Sequence, residues 1–142
     1  MLACLAFIGT APGVVQAAPV STSIEGTSFA EQVLRVVNAR RASMGLHALE
    51  PDAELFLIAH AHSQDMALAR RMSHDGFAQR FGRTTSALCV ENLATGYTQP
   101  EALVRAWEAS PTHHRNLAEP RVWRVGVAQV GRFVTLFACS GP

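Results

Sequence analysis

Imidazoles and carboxylates can carry protons or hold metal ions, and this chain has six histidines, at positions 47, 60, 62, 74, 113 and 114. Spacing prunes them. His60 and His62 stand two apart in a helical stretch, so they point to nearly opposite faces and cannot share an ion. His113 and His114 face apart for the same reason if helical. There is no His-Glu-x-x-His pattern and no Cys-x-x-Cys pair, so the common zinc signatures are absent. His62 falls on an apolar stripe and is expected as a hydrogen-bonded core histidine. His47 is expected as a solvated loop residue.

Three residues stand apart. His74 follows a helix end, between Ser73 and Asp75-Gly76, where a side chain can project into a cleft. Glu91 is an acid inside the apolar run Leu88 to Leu93. A carboxylate there needs a buried partner or must face a site. His113 lies beyond Ser110-Pro111, in a turn crowded with polar groups. Spacing alone does not join the three. Ser63 and His62 are neighbours on a helix and cannot face each other as a hydrolase pair. Ser110 precedes Pro111 and is expected to cap a turn.

The elements that must position these residues follow from local signals. Ser28 and Glu31 form a capping box for a first helix over 28–43, with Gly45 as its stop. Residues 46–51 read as a connector. Asp52 caps a second helix to about Met72, whose apolar stripe includes Leu55, Ile58, Ala59, His62 and Met66. Phe77 to Phe81 is predicted as a short helical turn, and Cys89 to Leu93 as a short strand. Thr98 and Glu101 suggest a second capping box, with Pro100 in the first turn of a helix ending near Ser110-Pro111. A short turn through Asn116 to Pro120 follows. Alternation around Val125, Val127, Phe133, Thr135 and Phe137, broken by Gly131-Arg132, predicts a C-terminal hairpin.

Composition bounds the rest. The chain has 142 residues, with 12 basic side chains (all arginine) against 11 acidic, for a net charge of +1. That balance argues against a nucleic-acid binder, which would carry a basic excess. Hydrophobic residues make up 49% and charged residues 16%, which excludes a disordered chain and suits one compact domain. Residues 1–18 are uncharged and apolar and end in Gln16-Ala17-Ala18. They read as a secretory signal peptide, although the usual positive start is missing. The apolar run is far shorter than the roughly 20 residues a bilayer span needs. The expected location is therefore secreted or periplasmic. Residues 19–27, rich in Ser, Thr and Gly, read as a flexible lead-in. Cys89 and Cys139 then remain, and an even count in an exported chain permits one disulfide. Two buried free thiols are the alternative.

Six pieces in order carry a family resemblance. They are Asn38 with Arg41; Ala61 to Ala67; Met72-Ser73-His74-Asp75-Gly76; Glu91-Asn92-Leu93-Ala94 with Gly96-Tyr97; Trp107 with Ser110-Pro111-Thr112-His113 and Asn116-Leu117; and Val125 to Ala128. Over residues 28–142 the chain resembles the CAP superfamily, or SCP-like extracellular domains, in its bacterial branch. The resemblance implies an α+β fold, a three-layer α-β-α sandwich with a small antiparallel sheet. Many members have a cleft of two histidines and two glutamates, some holding zinc through the histidines. His74, Glu91 and His113 match three of those four. The fourth position is Ser110, so a full tetrad is not expected, and Glu108 next to it would point elsewhere on a helix. Two neutral imidazoles, a carboxylate and a water would make a zinc set. Glu91 and a histidine could instead transfer protons. In a third reading Glu91 pairs with His74 or His113, caps amides near Asn92 and binds nothing. The implied role is an exported, monomeric binding module for cell-wall glycan, lipid or protein. A hydrolase of cell-wall peptide or glycan is the alternative.

Overall fold

The computed structural model describes residues 27–141. The leader read at 1–18, and the lead-in apart from Thr27, lie outside the described residues.

The first helix, α1 (Phe29–Ser43), begins as the capping box predicts: Ser28 Oγ accepts from the Glu31 amide and Glu31 Oε2 accepts from the Ser28 amide. Gly45 follows its end with φ +72°, a left-handed turn that glycine adopts without strain. A two-residue strand, β1 (Glu50–Pro51), lies in the predicted connector. Helix α2 (Ala53–Ala69) is capped by Asp52, whose carboxylate accepts from the Leu55 amide. It ends before the Met72 that the apolar pattern suggests, because Arg70 turns left-handed at φ 53°. Helix α3 (Phe77–Phe81) and strand β2 (Cys89–Thr95) follow.

Helix α4 (Pro100–Ala109) starts one residue later than a Thr98–Glu101 box requires. Gln99 stands at its N-cap and makes no side-chain cap bond, so that box does not form. The stretch expected as a turn is a short helix, α5 (Pro111–Leu117), opened by Pro111 at a position where proline's missing N–H costs nothing. Strands β3 (Arg124–Val130) and β4 (Phe133–Cys139) form the predicted hairpin, with Gly131 at φ +57° in the turn.

The sheet order is β1-β3-β4-β2. Three of its strands are antiparallel. β1 pairs parallel to β3 at Arg124 and Val125, so the sheet is mixed at that one edge. Strand alternation sorts the side chains into two layers. Val125, Val127, Val134, Leu136 and Ala138 pack with Val33, Val37, Leu103, Val104 and Trp107 of α1 and α4. Ala128, Phe137 and Cys139 pack with Leu55, Ile58 and Ala59 of α2 on the opposite face. The result is a three-layer α-β-α sandwich.

Cys89 and Cys139 stand opposite each other in the β2–β4 register, with Cα atoms 4.1 Å apart, and are joined as a disulfide. The bridge closes 50 residues of chain, which in the entropy model stabilises the fold by about 4 kcal/mol. No described helix is long and apolar enough to cross a membrane.

Helix α2 crosses β3 so closely that Gly126 has no room for a side chain. A Cβ there would collide with the Leu55 carbonyl and the Phe56 amide, which are main-chain atoms that cannot swing aside. Gly126→Ala is expected to destabilise the fold by about 3 kcal/mol or more. Urea unfolding checks this, and a midpoint unchanged from wild type contradicts it.

Candidate functional site

β2 is an edge strand, and its odd-numbered residues face the α2 layer. Cys89 and Leu93 meet apolar partners there. Glu91, between them, is only 4% exposed. An ionised carboxylate at such depth costs several kcal/mol unless it is paired and hydrogen-bonded. Arg80 of α3 supplies the pairing. Its Nε donates to Glu91 Oε2 and its Nη2 to Oε1, both at 2.8 Å, in a bidentate arrangement. Arg80 Nη1 also donates to the Asp75 carbonyl at 2.8 Å, tying the loop before α3 to the same centre.

His74, in that loop, donates from Nδ1 to Glu91 Oε1 at 2.8 Å while its side chain stays 55% exposed. The acceptor is a carboxylate, so the proton of this bond sits on Nδ1. Nε2 is left free. His62 lies behind. Its Nε2 donates to the Ser73 carbonyl at 2.8 Å and stands 3.9 Å from Glu91 Oε1. It is the hydrogen-bonded core histidine that the stripe predicts, and it also supports the loop that carries His74.

His113 comes from the other side of the strand, on α5. Its ring and that of His74 line one hollow along the outer edge of β2, with Phe77, Val90, Thr112 and Asn116, and a volume of 340 Å³. Burial, and secondarily the nearby charge of His74, hold the His113 pKa below the usual imidazole value. The hollow is shaped by main-chain anchoring. Asn92 Nδ2 donates to the His113 carbonyl at 3.1 Å, and Asn116 Nδ2 donates to the Glu91 carbonyl at 3.0 Å and to Asn92 Oδ1 at 2.9 Å.

The structure thus brings His74, Glu91 and His113 to one place, with Glu91 pairing to His74 and not to the His113 ring. Arg80 and the closeness of His62 are what sequence reasoning missed. The signal for Arg80 was Glu91 itself: an acid in an apolar run needs a cation, and Arg80 is the one inside the short helical turn predicted between His74 and Glu91. Ser110 joins α4 to α5 without a side-chain cap bond, so its expected capping role is confined to its main chain. Glu108 pairs with Arg40 on the α1–α4 side. Ser63 is buried and donates to the Ala128 carbonyl and to Thr135 Oγ1, which is a structural role. His47 is exposed as expected, but its Nε2 is also fixed on the Val122 carbonyl at 3.0 Å. Among the described residues no group of three or more His, Cys, Asp or Glu side chains is set to hold a metal ion.

The CAP, or cysteine-rich secretory protein, family matches residues 34–132. The chain belongs to this family. The CAP domain is 29% identical over 130 residues to the uncharacterized protein YkwD of Bacillus subtilis, covering 84% of this chain and 50% of that one. It is 25% identical to an extracellular protein containing an SCP domain from Bacillus anthracis, with a TM-score of 0.75, covering 80% of this chain and 40% of that one. An outer surface protein of Borrelia burgdorferi shares the fold, with a TM-score of 0.73 at 19% identity over 80% of this chain and 93% of that one. The chain therefore spans half or less of the two bacillar relatives.

Two outcomes follow from the geometry. Arg80→Met strands a buried carboxylate and is expected to cost about 3–5 kcal/mol, whereas Arg80→Met combined with Glu91→Leu recovers most of that loss. Chemical denaturation of the two variants checks the difference. The second outcome concerns pH. His62, through burial first and the Arg80 charge second, also has its pKa below the usual value. Below about pH 6.5 the unfolded chain takes up protons on these rings before the folded chain does, so stability falls as pH falls through that window. Melting temperature should drop between pH 7 and pH 5 in wild type and drop less in His62→Gln and His113→Gln. Parallel slopes in all three proteins contradict the assignment.

Proposed function

We propose that this CAP domain is the binding module of an exported protein, and that the hollow along β2 is where its ligand sits. The observation that carries this is the full engagement of Glu91. Its two oxygens are taken by Arg80 and His74. A carboxylate held this way orients a histidine instead of donating or accepting a proton from a substrate. Beside Glu91, the hollow is then lined by His74, His113 and Thr112, with the apolar residues Phe77 and Val90. Such a lining suits recognition of a polar group carried on an apolar or sugar-like body. Cell-wall glycan, lipid and protein segments all meet that description.

A divalent ion fits this donor set in one particular form. Glu91 behind His74 makes the carboxylate–histidine arrangement that leaves Nε2 as a ligand. His74 and His113 would hold the ion, with the remaining positions open to water or ligand. Two protein ligands are fewer than the three or four of lasting zinc sites, so the ion would be weakly held and exchangeable. When bound it would add a cationic group that attracts anionic or carbonyl oxygens. The hydrolase reading needs a free acid or an activated nucleophile, and neither the Ser110 position nor Glu91 supplies one.

Zinc titration followed by imidazole NMR tests the reading. Expected are perturbations confined to His74 and His113 and an affinity at least tenfold weaker in His74→Ala and in His113→Ala. Equal uptake by wild type and the double variant removes the metal from the proposal. Turnover of cell-wall peptide or glycan that vanishes in a folded Glu91→Gln protein would overturn the binding reading in favour of the hydrolase.

A further inference from the structure

The sheet has two edges, and the chain treats them differently. On β2 the residues whose main-chain groups point outward include Glu91 and Leu93. Their carbonyls accept from Asn116 Nδ2 at 3.0 Å and from Trp107 Nε1 at 2.8 Å. Those two carbonyls are taken by side chains of α4 and α5. On β3 the outer edge is covered by β1, and only at Arg124 and Val125. The Glu50 amide donates to the Trp123 carbonyl at 2.7 Å and the Asp52 amide to the Val125 carbonyl at 2.9 Å. Main-chain groups alternate sides along a strand, so the odd-numbered residues of β3 point away from β4. Val127 and Gln129 are the next two. No described residue offers their N–H or C=O groups a hydrogen-bond partner on that side.

The Val127 end of this open stretch borders a hollow of 620 Å³ between α1 and α2. Its walls are Ala30 and Leu34 on one side and Phe56 on the other, with Val125 to Val127 at the base. β1 already lies on the same line, where it pairs with Arg124 and Val125. The lip is acidic. Glu31 stands on the α1 side and Asp52 on the α2 side, with Glu54 beside it. Arg124 is the cation bonded to both Asp52 and Glu54, at 2.8 and 3.5 Å. Arg35 of α1 lines a different hollow between α1 and α4, and its charge also acts on Glu31. Among the described residues, three carboxylates (Glu31, Asp52 and Glu54) stand against two guanidiniums (Arg35 and Arg124) around the opening.

We propose that this slot takes an extended, positively charged segment of a partner polypeptide as an added strand along β3, in line with β1. Main-chain bonds to Val127 and Gln129 supply the affinity, as in other cases of strand addition. Small or β-branched side chains at alternate positions fit between Leu34 and Phe56. Lysine or arginine at the segment's ends meets Glu31 and Glu54. The site is separate from the His74–His113 hollow and does not depend on what that hollow binds.

The probe is the capped peptide Lys-Val-Thr-Val-Thr-Val-Lys, titrated into the full chain and followed by amide NMR and hydrogen exchange. Three controls accompany it. The first is the same peptide N-methylated at alternate residues, the second has glutamate in place of lysine, and the third is a Gln129→Pro protein. The Gln129 amide points outward and its side chain is half-buried, so proline there removes the donor without breaking the ladder to β4. Expected are shifts at Val127 and Gln129, at least tenfold slower exchange of those two amides, and at least tenfold weaker binding in each control. Absence of shifts at millimolar peptide overturns the proposal. So does equal binding of the N-methylated peptide, or binding that maps to His74 and His113. Slow exchange at Val127 and Gln129 in the peptide-free chain, lost on deleting residues 1–26, would also overturn it and assign the edge to the chain's own leading residues.

Discussion

A carboxylate buried on an edge strand is the constraint around which this site is built. Glu91 sits where apolar residues flank it on both sides, and removing its charge from water is costly. The compensation is a guanidinium with matched planar geometry, and its consequences reach beyond the pair. Arg80 can deliver two parallel bonds only if α3 lies across the α2 face of β2, which places the short helix. The same guanidinium holds the Asp75 carbonyl, which places the loop. The loop places His74, and the remaining valence of Glu91 sets which nitrogen of His74 carries the proton. One electrostatic requirement thus orders the α2–α3 loop, α3 and the chemistry of an exposed imidazole.

The hollow exists because two layers of the sandwich meet at the outer edge of β2. His74 arrives from the α2 layer and His113 from the α4–α5 layer, and the strand lies between them. Their separation is therefore governed by how firmly β2 is held. It is fixed at one end by the disulfide to β4 and along its outer edge by Asn116 and Trp107. A site assembled this way has little freedom to close around a ligand. It presents preset groups, which suits binding of a partner whose own shape is adaptable.

Much of this was legible in the sequence, and the limits have physical causes. Ser28–Glu31 and Asp52 announce helix starts because an N-cap is a local bond between near neighbours. The hairpin is legible because period-two alternation and a left-handed Gly131 are local too. Strand β1 is not, since two residues carry no period and depend on β3 more than seventy positions later. The Thr98–Glu101 spacing misleads because the helix starts one residue later, with Pro100 in its first turn, which moves the cap from Thr98 to Gln99. Helix α5 is missed because seven residues starting at proline look like a turn. In the site, His74, Glu91 and His113 could be read as candidates. Their convergence could not be read from spacing, and Arg80 could be inferred only from the need to balance Glu91.

The residues that carry the family resemblance explain why membership says more about fold than about activity. Asn38 bonds both main-chain groups of Leu49. Arg41, wholly buried, donates to the carbonyls of His47, Leu117, Glu119 and Val122. His62 holds Ser73, Trp107 holds Leu93, Asn92 holds His113 and Asn116 holds Glu91. Each of these side chains bonds a main-chain group of a loop, a short helix or the edge strand. Losing any one leaves a buried carbonyl or amide unpaired, at about 1–3 kcal/mol apiece. A motif made mostly of such residues tracks how loops, the short helix α5 and the edge strand β2 are pinned to the sandwich. The groups lining the hollow are few, and among the described residues the His74 and His113 side chains bond no main-chain group. The scaffold can therefore stay constant while the chemistry at its edge varies from one member to the next.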